Sequence, residues 1–232
     1  MTGSILRLRA TRQFAITSAC LAASDGSLMS FSRRFLLGVP LAIFAERRVA
    51  WGADPNSAPA IIENFYAALL AVMKQAKQLS FDERYKRLAP AIEQTLDLGL
   101  MTRLAVGPGW AQLPADQQQR LSAAFARYTI SVYANRFNNY GGERFEVAPT
   151  TKPNPSGVIV ESWLIKSNGE RVTLNYLLRQ ETGSWKVIDV YLSGTVSELA
   201  TRRSEFAAVL QREGANGLVQ MIERRTAALR PG

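Results

Sequence analysis

Apolar residues recur at helical spacing at the start of the region that follows residue 53. Between residues 61 and 73 successive apolar positions are one to three residues apart, with small or polar residues between them. This period predicts a long amphipathic helix with one buried face. The apolar positions are Ile61, Ile62, Phe65, Tyr66, Leu69, Leu70, Val72 and Met73.

Two shorter segments follow this helix. Ser80 and Glu83 have the spacing of a capping box, which predicts a second helix that begins at Ser80 and breaks near Pro90. Residues 98–106 then form a short, strongly apolar segment. The Gly-Pro-Gly sequence of residues 107–109 predicts a loop directly after it.

A further long helix is predicted from about residue 114. Pro114 suits the beginning of a helix, and Asp116 suits its first turn because the helix dipole favours a negative charge there. The Asn-Asn-Tyr-Gly-Gly sequence of residues 138–142 is expected to end it. Its apolar positions are Leu121, Phe125, Tyr128, Val132, Tyr133 and Phe137.

The period of the apolar residues changes from 3.6 to 2 after residue 142, which predicts β-strands. A first strand begins at Phe145, and a turn rich in proline and glycine at residues 153–157 leads into a second strand over residues 158–165. The Asn-Gly pair at residues 168–169 predicts a tight hairpin into a third strand.

The third strand alternates between apolar and polar positions, so one of its faces is predicted to be buried and the other to face water. The apolar face carries Val172, Leu174, Tyr176 and Leu178, and the polar face carries Arg171, Thr173, Asn175 and Arg179.

A fourth strand and two helices complete the pattern. Residues 185–192 follow a turn at residues 182–184 and are largely apolar on both faces, as expected of a central strand. Two helices are then predicted over residues 196–212 and 218–229, separated by Gly214. Helices, an antiparallel meander and further helices indicate an α+β domain, with a curved antiparallel or mixed sheet of about four to five strands covered by the helices.

The first 53 residues have the anatomy of an export leader. The Arg-Arg pair at residues 33–34 directly precedes an apolar run, as in a twin-arginine signal, and this run is shorter than the ~20 residues that span a bilayer. A start at Met29 would give a signal of ordinary length. The alternative is a basic tail with a chance arginine pair. We expect residues 1–53 to be cleaved and residues 54–232 to form one domain in the periplasm.

Composition argues against several classes of function. The net charge of +9 is concentrated in residues 1–53, which hold seven arginines against two acidic residues, so a nucleic-acid-binding face is not expected. The chain has no histidine, which removes histidine-based catalytic triads and the usual zinc sites. The single cysteine, Cys20, lies in the leader, so the exported domain is expected to have no internal disulfide.

Asp189 is the one carboxylate that the pattern places on an apolar face, together with Trp185, Val187 and Tyr191. Asp189 and Tyr191 could act as acid and base in a small cone-shaped enzyme similar to the nuclear-transport-factor-2-like isomerases and hydratases. The alternative is that Asp189 lies at a sheet edge or pairs with an arginine. The missing histidine and the lack of a second polar group near Asp189 in sequence favour this alternative.

Two blocks of the chain carry a distinctive order of residues. The C-terminal block is Trp185-Lys186-Val187-Ile188-Asp189-Val190, Ser193-Gly194-Thr195-Val196-Ser197, Arg203, Phe206, Gly214 and Gly217-Leu218. The central block is Leu96-Asp97-Leu98, Met101, Val106-Gly107, Trp110, Leu113-Pro114, Gln119, Phe125 and Tyr133.

This order resembles the toluene-tolerance family, also called the MlaC family, over about residues 60–229. Residues 104–108 and 198–203 look closest to its hopanoid-associated HpnM branch, and Arg202 stands where the family often has a tyrosine. The resemblance implies a non-catalytic periplasmic carrier that holds a phospholipid or a hopanoid, as cargo and without a further cofactor, in an apolar cavity. It also implies two partners, an inner-membrane ABC-type lipid transport complex and an outer-membrane acceptor.

The expected cavity lies between the apolar face of the third strand and the long helix that follows residue 114. A docking protein with a solidly packed interior and no lipid is the remaining alternative. The residues assigned to the cavity are Met101, Phe125, Tyr128, Val132, Tyr133, Val172, Leu174, Tyr176, Leu178, Val187 and Tyr191.

Overall fold

A computed structural model describes residue 54 and residues 56–230. The leader predicted over residues 1–53, with its export signal and cleavage site, lies outside the described residues. The helices are α1 (Ala58–Lys74), α2 (Phe81–Thr95), α3 (Leu98–Val106), α4 (Ala115–Arg136) and α5 (Glu198–Ala228), and the strands are β1 (Arg144–Asn154), β2 (Gly157–Ile165), β3 (Arg171–Glu181), β4 (Ser184–Leu192) and β5 (Val196–Ser197).

Helix α2 begins as predicted and continues past its predicted break. Ser80 Oγ accepts a hydrogen bond from the Glu83 N–H at 3.2 Å, and the Glu83 carboxylate accepts one from the Ser80 N–H at 2.8 Å. Pro90 lies inside α2, on its exposed side, where water can bind the carbonyl of Lys86 that lacks a helical partner. The predicted break at Pro90 is therefore wrong.

Helices α3 and α4 have close to their predicted bounds. Asp97 caps α3 by accepting a hydrogen bond from the Leu100 N–H at 2.8 Å, and residues Gly107–Gln112 form a short 3₁₀ helix where a loop was predicted. Helix α4 starts directly after Pro114 and ends two residues before the predicted stop at residue 138.

The strands form one antiparallel meander in the order β1-β2-β3-β4-β5. The predicted hairpin at residues 168–169 is confirmed, with the Lys166 N–H donating to the Glu170 carbonyl at 2.9 Å. In the described part of the chain, the one isolated bridge is parallel and joins Leu96 to Val187. The α+β class is therefore confirmed, with a sheet whose strand pairs are all antiparallel.

A β-bulge in β4 reverses the alternation of its side chains. Leu178 pairs with Val187 and Leu177 pairs with Asp189, so Ile188 is an extra residue between two pairs. Residues after the bulge change sides: Val190 faces the helices, whereas Asp189 and the tyrosine two positions later face away. The predicted shared face of Asp189 with the residues before the bulge is therefore wrong.

The predicted inner position of β4 is confirmed, because it lies between β3 and β5 in the sheet. On one side β4 pairs along its length with β3, and on the other it pairs with the two-residue strand β5 through Tyr191 and Leu192. Val187 on the same side forms the bridge to Leu96, and α5 also contacts β4.

Asn175 on the polar face of β3 is buried, contrary to the prediction of a wet face there. Its side chain donates to the Gly194 carbonyl at 3.5 Å, because the turn between β4 and β5 folds back over this part of the sheet. Arg171 at the start of β3 is exposed and Arg179 near its other end is half-buried, so the wet face is confirmed only towards the two ends of the strand.

Helix α5 contains the predicted interruption at Gly214, which has φ +68° and ψ −175° within an otherwise continuous run. Glycine tolerates this conformation because it lacks a Cβ atom. The helix begins at Glu198 rather than at residue 196, since Val196 and Ser197 form β5.

The core lies between the inner face of the sheet and the helices. Helix α1 packs on β1 and β2, and α2, α3 and α5 pack on β4. Tyr66 of α1 stacks on Phe145 of β1 with ring centroids 4.1 Å apart, and its hydroxyl lies 2.6 Å from Ser162 Oγ on β2. No helix in the described range is both long and apolar enough to span a bilayer.

Candidate functional site

An apolar cavity of about 80 Å³ lies between α4, the inner face of β3 and β4, and the beginning of α5. Met101 of α3 and Leu96, between α2 and α3, line the remaining side. Most of the lining side chains are aliphatic or aromatic, and the polar ones are few. The lining residues are Leu96, Met101, Phe125, Thr129, Val132, Tyr133, Arg136, Phe137, Leu174, Tyr176, Val190, Leu192, Glu198, Leu199 and Arg202.

Helix α4 supplies one wall of the cavity through a stripe of residues three or four positions apart. The stripe runs from Phe125, whose side chain is 1% exposed, through Thr129, Val132 and Tyr133 to Arg136, which is exposed. At 1.5 Å per residue, its ends are about 16 Å apart along the helix axis. The wall is therefore apolar and buried at one end and charged and exposed at the other.

The sheet supplies the opposite wall from β3 and from the part of β4 after the bulge. Leu174 pairs with Leu192, and Tyr176 pairs with Val190, so these four side chains lie on the inner face. Without the bulge at Ile188, the outward residues of β4 would face the cavity instead. The bulge therefore determines which residues of β4 line the cavity.

Tyrosine side chains are packed close together beside the cavity. Tyr133 and Tyr176 pack edge to face against Phe65, with ring centroids 5.5 Å and 6.4 Å away. Burial raises the pKa of Tyr66 to about 12 and raises the pKa values of Tyr133 and Tyr176 above their usual range. All three are therefore neutral at physiological pH, and none supplies an ionised base.

Charged groups line the cavity where α4 meets α5. Arg202 is 18% exposed and lies 3.0 Å from the Glu198 carboxylate, and it donates to the Tyr128 hydroxyl at 3.2 Å. Its guanidinium also lies over the Tyr128 ring, 5.0 Å from the centroid. The side chain of Arg136 makes no hydrogen bond or ion pair with another of the described residues. We refer to Glu198, Arg202 and Arg136 as the cavity mouth.

The arrangement suits the binding of an amphiphile. Each methylene transferred from water to such an apolar space contributes about 0.8 kcal/mol without any chemical step. The few charged lining groups can contact a polar head while the apolar walls hold the rest of the molecule. Among the described residues, no group of three or more carboxylate or cysteine ligands is arranged to hold a metal ion.

Residues 63–224 match the model of the family described as MlaC protein. The chain belongs to the MlaC family. Its fold is also similar to a solved structure from Ralstonia solanacearum, described as a phospholipid-binding protein in complex with a phospholipid. The two chains are 26% identical, with a TM-score of 0.66, and the match covers 75% of this chain and 98% of the other. Among curated proteins, no sequence matches the chain.

In this MlaC-family chain, six of the eleven residues predicted from the sequence line the cavity and five do not. Whether any of them contacts a lipid stays a prediction. The six that line it are Met101, Phe125, Val132, Tyr133, Leu174 and Tyr176, and the five that do not are Tyr128, Val172, Leu178, Val187 and Tyr191.

The five residues that do not line this cavity lie elsewhere for separate physical reasons. Leu178 and Val187 pair with each other and are fully buried in the closed core, so the inner face of the sheet is packed shut at that end. Val172 pairs with Leu164 and lies outside both the core and the cavity. Tyr128 contacts Arg202 of α5, and Tyr191 is turned outward by the bulge.

The sequence prediction also missed several lining residues of this MlaC-family domain. The stripe on α4 could have been extended by one turn, from Val132 and Tyr133 to Arg136 and Phe137, because these positions share its spacing. Val190 and Leu192 could not be found this way, since they depend on the bulge. The others are Leu96, Thr129, Glu198, Leu199 and Arg202.

Asp189 has a structural environment that does not suit acid–base catalysis. It is 8% exposed and accepts hydrogen bonds from Ser197 Oγ at 2.6 Å and from the Leu199 N–H at 3.3 Å. It therefore holds the first turn of α5, near the sheet edge, and no arginine pairs with it among the described residues. Neither Asp189 nor Tyr191 lines the cavity.

Proposed function

We propose that this MlaC-family protein is a periplasmic carrier that binds the acyl chains of a phospholipid in the apolar cavity. The observation that carries the proposal is the cavity itself, with apolar walls on α4, β3 and β4 and with Arg136, Glu198 and Arg202 as its charged lining residues. The phospholipid bound to the similar protein from Ralstonia solanacearum supports the choice of cargo.

The energetics favour a carrier that needs no reaction. About ten methylenes transferred into the cavity would contribute about 8 kcal/mol, which offsets part of the cost of withdrawing a lipid from a bilayer. Because the lipid leaves one apolar environment for another, the net change is small. A small net change lets the same cavity take up lipid from one membrane and release it to another.

The cavity must widen to hold a lipid. Its volume of about 80 Å³ is well below the ~300 Å³ at which pockets for small molecules begin. The first part of α5, which carries Glu198, Leu199 and Arg202, lies between two backbone interruptions, at Ser193–Gly194 and at Gly214, where φ is positive. We propose that α5 pivots about its first turn, which Asp189 holds, and that the part between this turn and Gly214 moves away from α4 when lipid enters.

The proposed location follows from the arginine pair and apolar run of the leader, which suit export before cleavage. A carrier in the periplasm would exchange lipid with an inner-membrane ABC-type transport complex and with an outer-membrane acceptor. A hopanoid is the alternative cargo, suggested by residues 104–108 and 198–203, which look closest to the HpnM branch.

A transfer assay between two populations of vesicles tests the carrier function. Donor vesicles contain a fluorescent phospholipid together with a quencher, and acceptor vesicles contain neither. We expect the fluorescence to rise at a rate proportional to the concentration of protein, because each molecule carries lipid through the water between vesicles. A rate equal to that without protein would contradict the proposal.

A further inference from the structure

The two arginines that line the cavity differ in what surrounds them. Arg202 is held by the Glu198 carboxylate at 3.0 Å and by the Tyr128 hydroxyl, so its charge is compensated inside the protein. The Arg136 side chain lines the same cavity but has no hydrogen-bond or ion-pair partner within residues 56–230. The cavity mouth therefore carries one positive charge in excess.

The helix dipole is only part of the reason why a positively charged residue suits position 136. Arg136 is the last residue of α4, where the helix dipole favours a cation. Any orientation of the side chain would satisfy this preference. The side chain instead continues the apolar stripe that begins at Phe125, about 16 Å deeper along the helix. An apolar molecule lying against this stripe would thus have its outer end beside the guanidinium.

The chemistry of a guanidinium indicates which chemical group the outer end of the bound molecule would carry. Arginine presents a planar fork of donors that matches a phosphate oxygen pair, and it remains charged at any physiological pH. An uncharged hydroxyl or ester gains much less from this contact, and it leaves the arginine without a counter-ion. A head group with a net negative charge would balance the excess positive charge of the cavity mouth.

We propose that Arg136 binds the phosphate of the lipid head group and gives the carrier a preference for anionic phospholipids over uncharged lipids with the same chains. This inference rests on the proposed function, because it concerns the head group of the cargo. It assigns a specificity-determining residue that lies outside the apolar walls. It also disfavours an uncharged polycyclic lipid, which would offer nothing to Arg136.

Competition between two lipids tests the preference. Protein freed of lipid is incubated with vesicles that contain equal amounts of a phosphatidylglycerol and of a diacylglycerol with identical chains, and the bound lipids are extracted and quantified. We expect the wild type to favour the phosphatidylglycerol by roughly tenfold, in line with a charge-assisted hydrogen bond. We expect Arg136→Gln to lose most of this preference and Arg136→Lys to keep part of it.

The matched control is Arg103→Gln. Arg103 is also an exposed arginine with no ion pair to another described residue, but it lies on α3 and does not line the cavity. The Arg103→Gln substitution removes the same charge from the protein, so it controls for a general attraction between the protein and anionic vesicles. We expect its lipid preference to equal that of the wild type.

Three outcomes would overturn the inference. Equal binding of the two lipids by the wild type, or an unchanged preference in Arg136→Gln, contradicts a role for Arg136 while leaving the carrier function intact. Displacement of the phosphatidylglycerol by millimolar inorganic phosphate would assign the arginine to a free anion instead. Uptake of neither lipid by the wild type would contradict the proposed function as well.

Discussion

The carboxylate of Asp189 accepts a hydrogen bond from the hydroxyl of Ser197, with 2.6 Å between Oδ2 and Oγ. Ser197 Oγ in turn accepts a hydrogen bond from the Ala200 N–H at 2.9 Å, which caps α5. The other oxygen of Asp189 accepts from the Leu199 N–H at 3.3 Å. Together these bonds tie the start of α5, which forms part of the cavity wall, to the edge of the sheet.

Replacement of Asp189 by alanine should destabilise the fold without removing any lining residue. Three donors, on Ser197, Leu199 and Val190, would lose their acceptor, and we expect the free energy of unfolding to fall by about 2 kcal/mol. Asp189→Asn keeps an acceptor oxygen and should cost less. Denaturant unfolding of both variants measures this difference. Equal stability of Asp189→Ala and the wild type would contradict the anchoring role.

A tryptophan at Leu174 should block lipid uptake. Leu174 lines the cavity, so the larger ring would fill much of its small volume. Val172 is the matched control, because it lies two positions away on the same face of β3 but outside the cavity. We expect Leu174→Trp to bind at least about tenfold less fluorescent phospholipid than Val172→Trp, with both variants folded by circular dichroism. Equal loading of the two variants would show that lipid binds elsewhere.

The buried tyrosines should make the fold unstable at high pH. An unfolded tyrosine ionises near pH 10, whereas burial raises the pKa of Tyr66 to about 12. Above pH 10 the unfolded state binds fewer protons than the folded state, so stability falls as the pH rises towards 12. The expected loss is about 1.4 kcal/mol per pH unit for each such tyrosine.

Tyr133→Phe tests the origin of this alkaline instability. Burial also raises the pKa of Tyr133, and the substitution removes one ionisable group while keeping the ring. Denaturant unfolding at pH 9, 10 and 11 should therefore show a shallower loss of stability than in the wild type, by about 1 kcal/mol between pH 10 and 11, because an unfolded tyrosine is only half ionised at pH 10. Identical slopes in the two proteins would show that other groups cause the loss.

Alanine substitutions at two hairpin glycines should lower the stability of the fold by different amounts. A Cβ atom on Gly157, which has φ +152°, would overlap the backbone carbonyl of Leu178 on the neighbouring strand. The same atom on Gly169, with φ +85°, would meet nothing within 4 Å. We expect Gly157→Ala to lower the free energy of unfolding by more than about 2 kcal/mol and Gly169→Ala by about 1 kcal/mol. The reverse order in thermal or denaturant unfolding would contradict the described register of β2 and β3.

Apart from the two-residue strand β5, the order of the elements was predictable from the sequence because most of them have a strong local signal. The capping box at Ser80 and Glu83, the Asn-Gly pair at residues 168–169 and the break at Gly214 act through backbone conformation within a few residues. The error at Pro90 has a local cause too, since its tolerance in α2 depends on which side of the helix faces water.

The lining of the cavity was only half predictable because it depends on contacts between distant elements. The bulge at Ile188 arises from pairing with β3, and a strict alternation along β4 therefore places Tyr191 on the wrong face. Likewise, no local sequence feature distinguishes Leu174, which lines the cavity, from Leu178, which is fully buried in the core. That difference depends on how the helices fill the two ends of the sheet.

Native mass spectrometry of the protein purified from the cells that produce it tests the central claim most directly. We expect a mass equal to the chain plus one lipid, and we expect solvent extraction to release a phospholipid in a one-to-one ratio. A mass equal to the bare chain, both as purified and after incubation with phospholipid vesicles, would contradict the account of this protein as a lipid carrier.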